Sequence, residues 1–180
     1  MWKDVAEKLG LHILWMPGDW RHGIDPELVQ EKLTEDSKHE VKAVLAVHTE
    51  TSTGITSRIG EIRQAMDAAR HPALLMVDAV SSLACTEYMH DDWGVDVTVS
   101  ASQKGLMLPP GLSFNAISDL ALERAVENPG MHSYWRWDAM LEHNQRGYFP
   151  YTPSTNLLYG LDEALTLLHR EGPVSYTHLR

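Results

Sequence analysis

Lys104 sits in SASQKGLMLPPG, residues 100–111, directly after the apolar run GVDVTVS. An amine just past the end of a buried strand needs water, a partner or a chemical use for its nitrogen. A carboxylate occupies a comparable place, because Asp78 closes the run ALLMV and opens the turn DAVSS. A third apolar run, VKAVLAVH, leads into HTETSTGITSR, residues 48–58, where Thr49, Thr51, Ser52, Thr53 and Thr56 crowd hydroxyls around Gly54. Each has a plain structural role open to it. Asp78 can cap the next turn, Lys104 can be a solvated loop lysine, and the hydroxyls can satisfy their own backbone. Gathered at one place, they form a set that can work on one small molecule. The amine condenses with a carbonyl, the carboxylate holds a proton or a cation, and the hydroxyls bond oxygens.

That gathering depends on the elements around the residues. DVAEKLG reads as a helix stopped by Gly10, and LHILWM as a strand ended by Pro17 and Gly18. IDPELVQEKLTED has Asp25 as N-cap and Pro26 at the first helical position. RIGEIRQAMDAARH puts Ile59, Ile62 and Met66 on one helical stripe. VKAVLAVH, ALLMVDAV, VDVTVS and LSFNAIS read as strands. DLALERAVEN and TNLLYGLDEALTLLHREG read as helices. Apolar strands separated by amphipathic helices predict a three-layer α/β fold, a mostly parallel sheet with helices on both faces. Right-handed crossovers bring every strand-to-helix loop to one edge of that sheet, where open α/β sheets bind ligands. Lys104, Asp78 and the hydroxyl loop all fall on that edge.

Composition narrows the function. The chain has 180 residues and a net charge of −10, from 25 acidic and 15 basic side chains. Such a balance argues against nucleic acid or an anionic membrane as partner, though not against a local pocket for one small anion. No apolar run reaches the length of a membrane span. The N-terminus, MWKDVAEKLG, has no signal-peptide core. The single cysteine, Cys85, permits no internal disulfide and fits a reducing cytoplasm. None of the ten histidines has a metal-site spacing, so no metal is expected. His90, Asp91 and Asp92 in MHDDWG read as turn caps. Tyr134, Trp135 and Trp137 in HSYWRWD read as packing or a dimer interface rather than a base-stacking surface. STGITSR lacks the pattern of a phosphate-binding P-loop.

A pyridoxal 5'-phosphate site would use the whole edge. Its aldehyde takes the lysine amine as a Schiff base. A carboxylate against the pyridine nitrogen keeps that nitrogen protonated, so the ring accepts electrons. Hydroxyls bond the ring oxygen and the phosphate.

The segments ETSTGITSRIGEIRQAMDAARHPALLMVDAVSSL, GVDVTVSASQKGLMLPPGLSFNAIS and GYFPYTPSTNLLYGLDEAL resemble the class V aminotransferases, within them the serine–glyoxylate and alanine–glyoxylate branch. The likeness implies the large domain of a fold type I aminotransferase. It implies transfer of the amino group of serine, or alanine, to glyoxylate, giving glycine and hydroxypyruvate, or pyruvate. By the same likeness Lys104 is the Schiff-base lysine, Asp78 pairs with the pyridine nitrogen, Thr51 bonds the ring oxygen and Gln103 contacts the phosphate. Thr152, in the PYTP turn, would reach the cofactor phosphate of a dimer partner. Related enzymes place a tyrosine three residues before that threonine, where this chain has Phe149, which leaves Tyr151 as the substitute. A homodimer acting on small amino acids and 2-oxo acids follows, with no nucleic acid and no membrane.

Residues 1–172 are expected to form part of the pyridoxal-phosphate-binding domain. An N-terminal phosphate cradle and a C-terminal small domain with a substrate-binding arginine are expected to be missing from the chain. Residues 173–180 read as a tail outside the family pattern, a sequencing or cloning scar. Two alternatives stay open. One is another class V reaction, of cysteine desulfurase or lyase type, which would require a reactive cysteine on a mobile loop or a different substrate pocket. The other is an inactive fragment that does not hold the cofactor.

Overall fold

The computed structural model describes residues 2–128, 130 and 133–172, so the tail 173–180 lies outside the described residues. Four strands lie side by side in chain order: β1 (Ala43–Val47), β2 (Leu74–Asp78), β3 (Val97–Ala101) and β4 (Ser113–Ile117). β1–β2 and β2–β3 pair in parallel, and β4 returns antiparallel to β3. The helices are α1 (Trp2–Lys8), α2 (Pro26–Glu35), α3 (Ile59–Ala68), α4 (Asp119–Glu127), α5 (Trp137–Asn144) and α6 (Thr155–Glu171). Among the described residues no helix is long and apolar enough to cross a membrane.

Local chemistry sets the helix boundaries. Asp25 accepts the backbone N–H of Glu27 at 2.9 Å ahead of Pro26, a residue suited to the first helical position. Ser118 caps α4 by accepting from the N–H of Ala121. Asp36, at the C-terminal end of α2, accepts from the N–H groups of Val41 and Glu40 and sits against the ring of His71. Those bonds hold its carboxyl at about 2.

Parallel register puts Val44, Ala46, Leu75, Val77 and Thr98 on one face of the sheet. Against it pack Val29 and Leu33 of α2 and Ile59, Ile62 and Met66 of α3, forming one buried core. The other face carries Leu45, Val47, Met76, Asp78, Val97 and Val99. Its cover thins toward β1: Val97 is buried, Met76 and Val99 half-buried, Leu45 and Val47 exposed. Asp96 ties the amino ends of β2 and β3 to the carboxyl end of the antiparallel β4, since its carboxylate accepts the N–H of Leu75 at 2.8 Å and the hydroxyl of Ser118 at 2.9 Å.

One sequence expectation fails, and one helix was not foreseen. LHILWM is no strand, because no strand pairs with it among the described residues; the N–H of Leu11 donates back to Ala6 at the end of α1, and Leu11, Leu14 and Trp15 remain exposed. A strand exists only where a neighbour takes its N–H and C=O groups, and alternation in six residues cannot supply that neighbour. The second difference is α5, which formed no part of the expectation. Its first turn is held by Arg136 paired with Asp138, and Asp138 suits a helix amino end. No residue of α5 is buried, so it lacks the apolar stripe that would announce a helix.

Candidate functional site

The carboxyl ends of β1, β2 and β3 are joined by their backbone. His48 donates its N–H to the carbonyl of Asp78 at 2.9 Å, and Ala79 donates to the carbonyl of Val99 at 2.9 Å. The loops that leave these strands therefore start as one plane.

The loop after β1 closes on itself as a small hairpin. Glu50 donates its N–H to Ile55, Gly54 donates to Glu50, and Thr49 pairs with Thr56. The Glu50 carboxylate accepts from the hydroxyl of Ser52 at 2.6 Å and from its N–H at 2.9 Å, and these bonds push its carboxyl below the usual range. The hydroxyl-rich stretch thus does satisfy its own backbone, and it leaves Thr51 pointing out of the hairpin. Thr51 Oγ1 lies 2.5 Å from Ser81 Oγ. That contact joins the loop after β1 to the turn after β2.

Asp78 is half-buried, and its Oδ1 accepts from the N–H of Val80 at 2.9 Å. This fixes the carboxylate's rotation. Its Oδ2 has no hydrogen-bond partner among the described residues. Lys104 and Gln103 are exposed in the loop after β3. No ion pair joins Lys104 to Asp78 among the described residues.

The Lys104 loop is anchored from beneath. Ser102 is fully buried and uses every polar group it has. Its hydroxyl donates to the carbonyl of Pro109 at 2.7 Å and accepts from the N–H of Leu112 at 3.2 Å. Its N–H donates to Leu112, and its carbonyl accepts from Leu108. Gly105 lies so close to the turn after β2 that an added Cβ would meet the Leu83 carbonyl at 2.2 Å and Cys85 Sγ at 2.9 Å. Only a residue with no side chain fits between Lys104 and that turn.

Thr152 and Tyr151 lie elsewhere. They precede α6, and the ring of Tyr151 lies tilted by 34° against Tyr134 with centroids 4.7 Å apart. α6 itself touches the Lys104 loop, through Leu157 at Gly111 and Gly160 at Leu108. Nevertheless no hydrogen bond or ring contact links Thr152 or Tyr151 to Asp78, Thr51 or Lys104 among the described residues. The structure brings together the loops bearing Thr51, Asp78, Gln103 and Lys104 and leaves the PYTP pair outside that group.

Ser81, Ser102, Gly105 and His48 are the members that sequence reading missed. His48 is 2% exposed, and its ring is caged by Tyr88 and Trp93 at 5.2 and 5.5 Å. Its Nδ1 is buried without a partner among the described residues. The one available hint was its place as the last residue of VKAVLAVH. Burial pushes the imidazole below its ordinary value of 6.5. The native state therefore binds a proton less readily than the unfolded chain. Stability is unaffected above 6.5 and is lost progressively as pH falls from there through the lower native value. His48→Phe keeps a ring in the cage and removes the proton. In thermal unfolding between pH 8 and pH 5, the variant should gain on the wild type only below about 6.5. A difference independent of pH would show that His48 does not titrate against folding.

The sequence profile described as aminotransferase class-V matches residues 1–177. The chain belongs to the class-V aminotransferases. Within that family it is 46% identical, over an alignment of 183 residues, to a serine–glyoxylate aminotransferase of Methylorubrum extorquens, covering 99% of this chain and 46% of that protein. It is 41% identical over 172 residues to an L-aspartate–glyoxylate aminotransferase of Paracoccus denitrificans, covering 95% of this chain and 43% of that one. Among solved structures, an aspartate aminotransferase of subgroup IV from Thermus thermophilus superposes with a TM-score of 0.82 at 28% identity, over 97% of this chain and 47% of that chain. The chain spans a little under half the length of the curated relatives it matches. The family is pyridoxal-phosphate-dependent, and its large-domain architecture is the mostly parallel sheet described above.

Proposed function

We propose that the protein is a pyridoxal-phosphate-dependent aminotransferase that moves the amino group of serine to glyoxylate. The observation that carries this reading is the donor set at the sheet edge. An exposed amine at Lys104, a rotationally fixed carboxylate at Asp78 and a hydroxyl pair at Thr51 and Ser81 stand on loops held together by backbone bonds. That set fits pyridoxal phosphate in its chemistry. The amine suits the aldehyde, the carboxylate suits the ring nitrogen, the Thr51 hydroxyl suits the ring oxygen, and the Gln103 amide suits the phosphate.

When bound, the cofactor supplies an aldehyde that exchanges between amines and a protonated ring that takes up electrons from the substrate's α-carbon. The chain's own residues do the rest. Lys104 Nζ would hold the group at rest, and in the presence of an amino donor its amine would serve as the base that moves the proton of the donor's α-carbon. Asp78, anchored by the Val80 N–H, keeps a negative charge fixed where positive charge must persist, with no reorganisation needed during reaction. The Ser102 network and the fit of Gly105 hold the backbone that carries the lysine.

Serine as donor is supported by the 46% identity to the Methylorubrum enzyme; alanine is the next donor to test. The rival desulfurase chemistry fits less well. Cys85 is packed against Gly105 in a turn closed by backbone bonds from Leu83 to Ala79 and from Cys85 and Thr86 to Ser82, which does not leave its thiol free to travel. The isolation of Thr152 and Tyr151 from the Lys104 cluster is what a residue serving a partner subunit would show, which supports a homodimer. The free thiol of Cys85 supports a reducing cytoplasm. Residues 1–172 then form part of the cofactor-binding domain. The intact protein given serine and glyoxylate should form glycine and hydroxypyruvate, and Lys104→Ala should not turn over. Steady turnover by that variant would remove Lys104 from the mechanism.

A further inference from the structure

We propose that Ser81 is a positioning residue that aims the Thr51 hydroxyl proton at the ring oxygen of the cofactor. The inference rests on the reading above and gives Ser81, which touches neither substrate nor cofactor, a role that acts through Thr51.

Both backbones are fixed independently of the contact between the two side chains. Thr51 stands on the closed hairpin held by Glu50, Ser52, Gly54 and Ile55. Ser81 stands in the turn opened by Asp78, where the N–H groups of Ser82 and Leu83 both donate to the carbonyl of Ala79. The 2.5 Å bond between their hydroxyls therefore has little left to do for the fold. What it does control is rotation. A hydroxyl carries one proton and two acceptor sites, and its proton turns to suit its neighbours.

Alone, either oxygen of the pair can be the donor. An anionic acceptor at Thr51 removes that freedom. Thr51 must then spend its proton on the acceptor, and within the pair Ser81 is left as the donor into Thr51. The chain runs from Ser81 to Thr51 to the ring oxygen. A hydroxyl that accepts one bond while donating another is a stronger donor. Donation to an ionised oxygen favours the ionised form. Ser81 thus tunes the ring from one shell further out, through the proton of Thr51.

The test uses the chain loaded with pyridoxal phosphate and reads affinity and the pH midpoint of the bound cofactor's absorbance. Ser81→Ala should bind about fivefold more weakly, the loss of one net hydrogen bond, and its pH midpoint should rise. Ser81→Thr, which returns the hydroxyl, should restore both. In a Thr51→Val background, Ser81→Ala should change nothing further. Thermal unfolding of the cofactor-free chain should be the same for Ser81→Ala and wild type. The inference is overturned if Ser81→Ala matches wild type in affinity and midpoint, or if its effect persists unchanged in Thr51→Val. Reductive labelling of wild type at Lys104 serves as the control. Labelling there with an indifferent Ser81→Ala sinks this inference alone. Absence of labelling there sinks the cofactor assignment and this inference with it.

Discussion

Gly105→Ala should displace the loop that carries Lys104 and with it the capacity to hold the cofactor. The new Cβ would lie 2.2 Å from the Leu83 carbonyl oxygen and 2.9 Å from the Ala84 carbonyl carbon, both backbone atoms of a turn. That turn is closed by bonds from Leu83 to Ala79 and from Cys85 and Thr86 to Ser82, so it cannot yield cheaply. On the other side, Ser102 pins the start of the Lys104 loop. Something must move, at or beyond the upper end of the roughly 1–3 kcal/mol that overpacking costs. Gly54→Ala is the contrast. Gly54 has φ +73 with nothing within 4 Å, so its cost is backbone strain alone, about 1–2 kcal/mol. Chemical denaturation together with cofactor titration checks the pair. Gly105→Ala should lose both stability and cofactor, and Gly54→Ala a smaller share of stability. Equal behaviour of the two variants would mean that the approach of Gly105 to the 83–85 turn is not what places Lys104.

The second large effect belongs to Asp78. Asp78→Asn keeps the side chain's shape and an oxygen to accept from Val80 N–H, so the fold is expected to survive. The negative charge is lost. With a neutral amide against it, the ring nitrogen no longer has a partner that favours its protonated form. Turnover should fall on the order of 10²-fold or more, the scale of removing one preorganised electrostatic group. Lys104 should still be labelled. The separation of the two readouts is the informative part, because a variant that merely unfolded would lose labelling too. Unchanged turnover would place the ring nitrogen somewhere other than Asp78.

Much of this was legible in the sequence. Buried strands announce themselves by composition, and the crossover rule then puts the residues after each strand at one edge. Asp78, Lys104 and the hydroxyl loop follow from that alone; α2 is announced by its Asp25–Pro26 start, and α3 and α6 by their apolar stripes. The rest depends on partners far away in sequence. Nothing within LHILWM says that no strand will pair with it. α5 has no buried stripe to betray it. The bond between Thr51 and Ser81 spans two loops. The role of Gly105 exists only because the 83–85 turn lies against it, and the cage around His48 comes from Tyr88 and Trp93 on a later segment. Tertiary juxtaposition, not local propensity, decides each of these cases.

One nitrogen carries the account. The chain is incubated with pyridoxal phosphate, reduced with borohydride, digested and mapped by mass. The prediction is a single modified peptide containing SASQKGLMLPPG with the adduct on Lys104, lost in Lys104→Ala. A soluble, folded chain that takes up no adduct at that lysine, or takes it up equally at other lysines, would contradict the assignment.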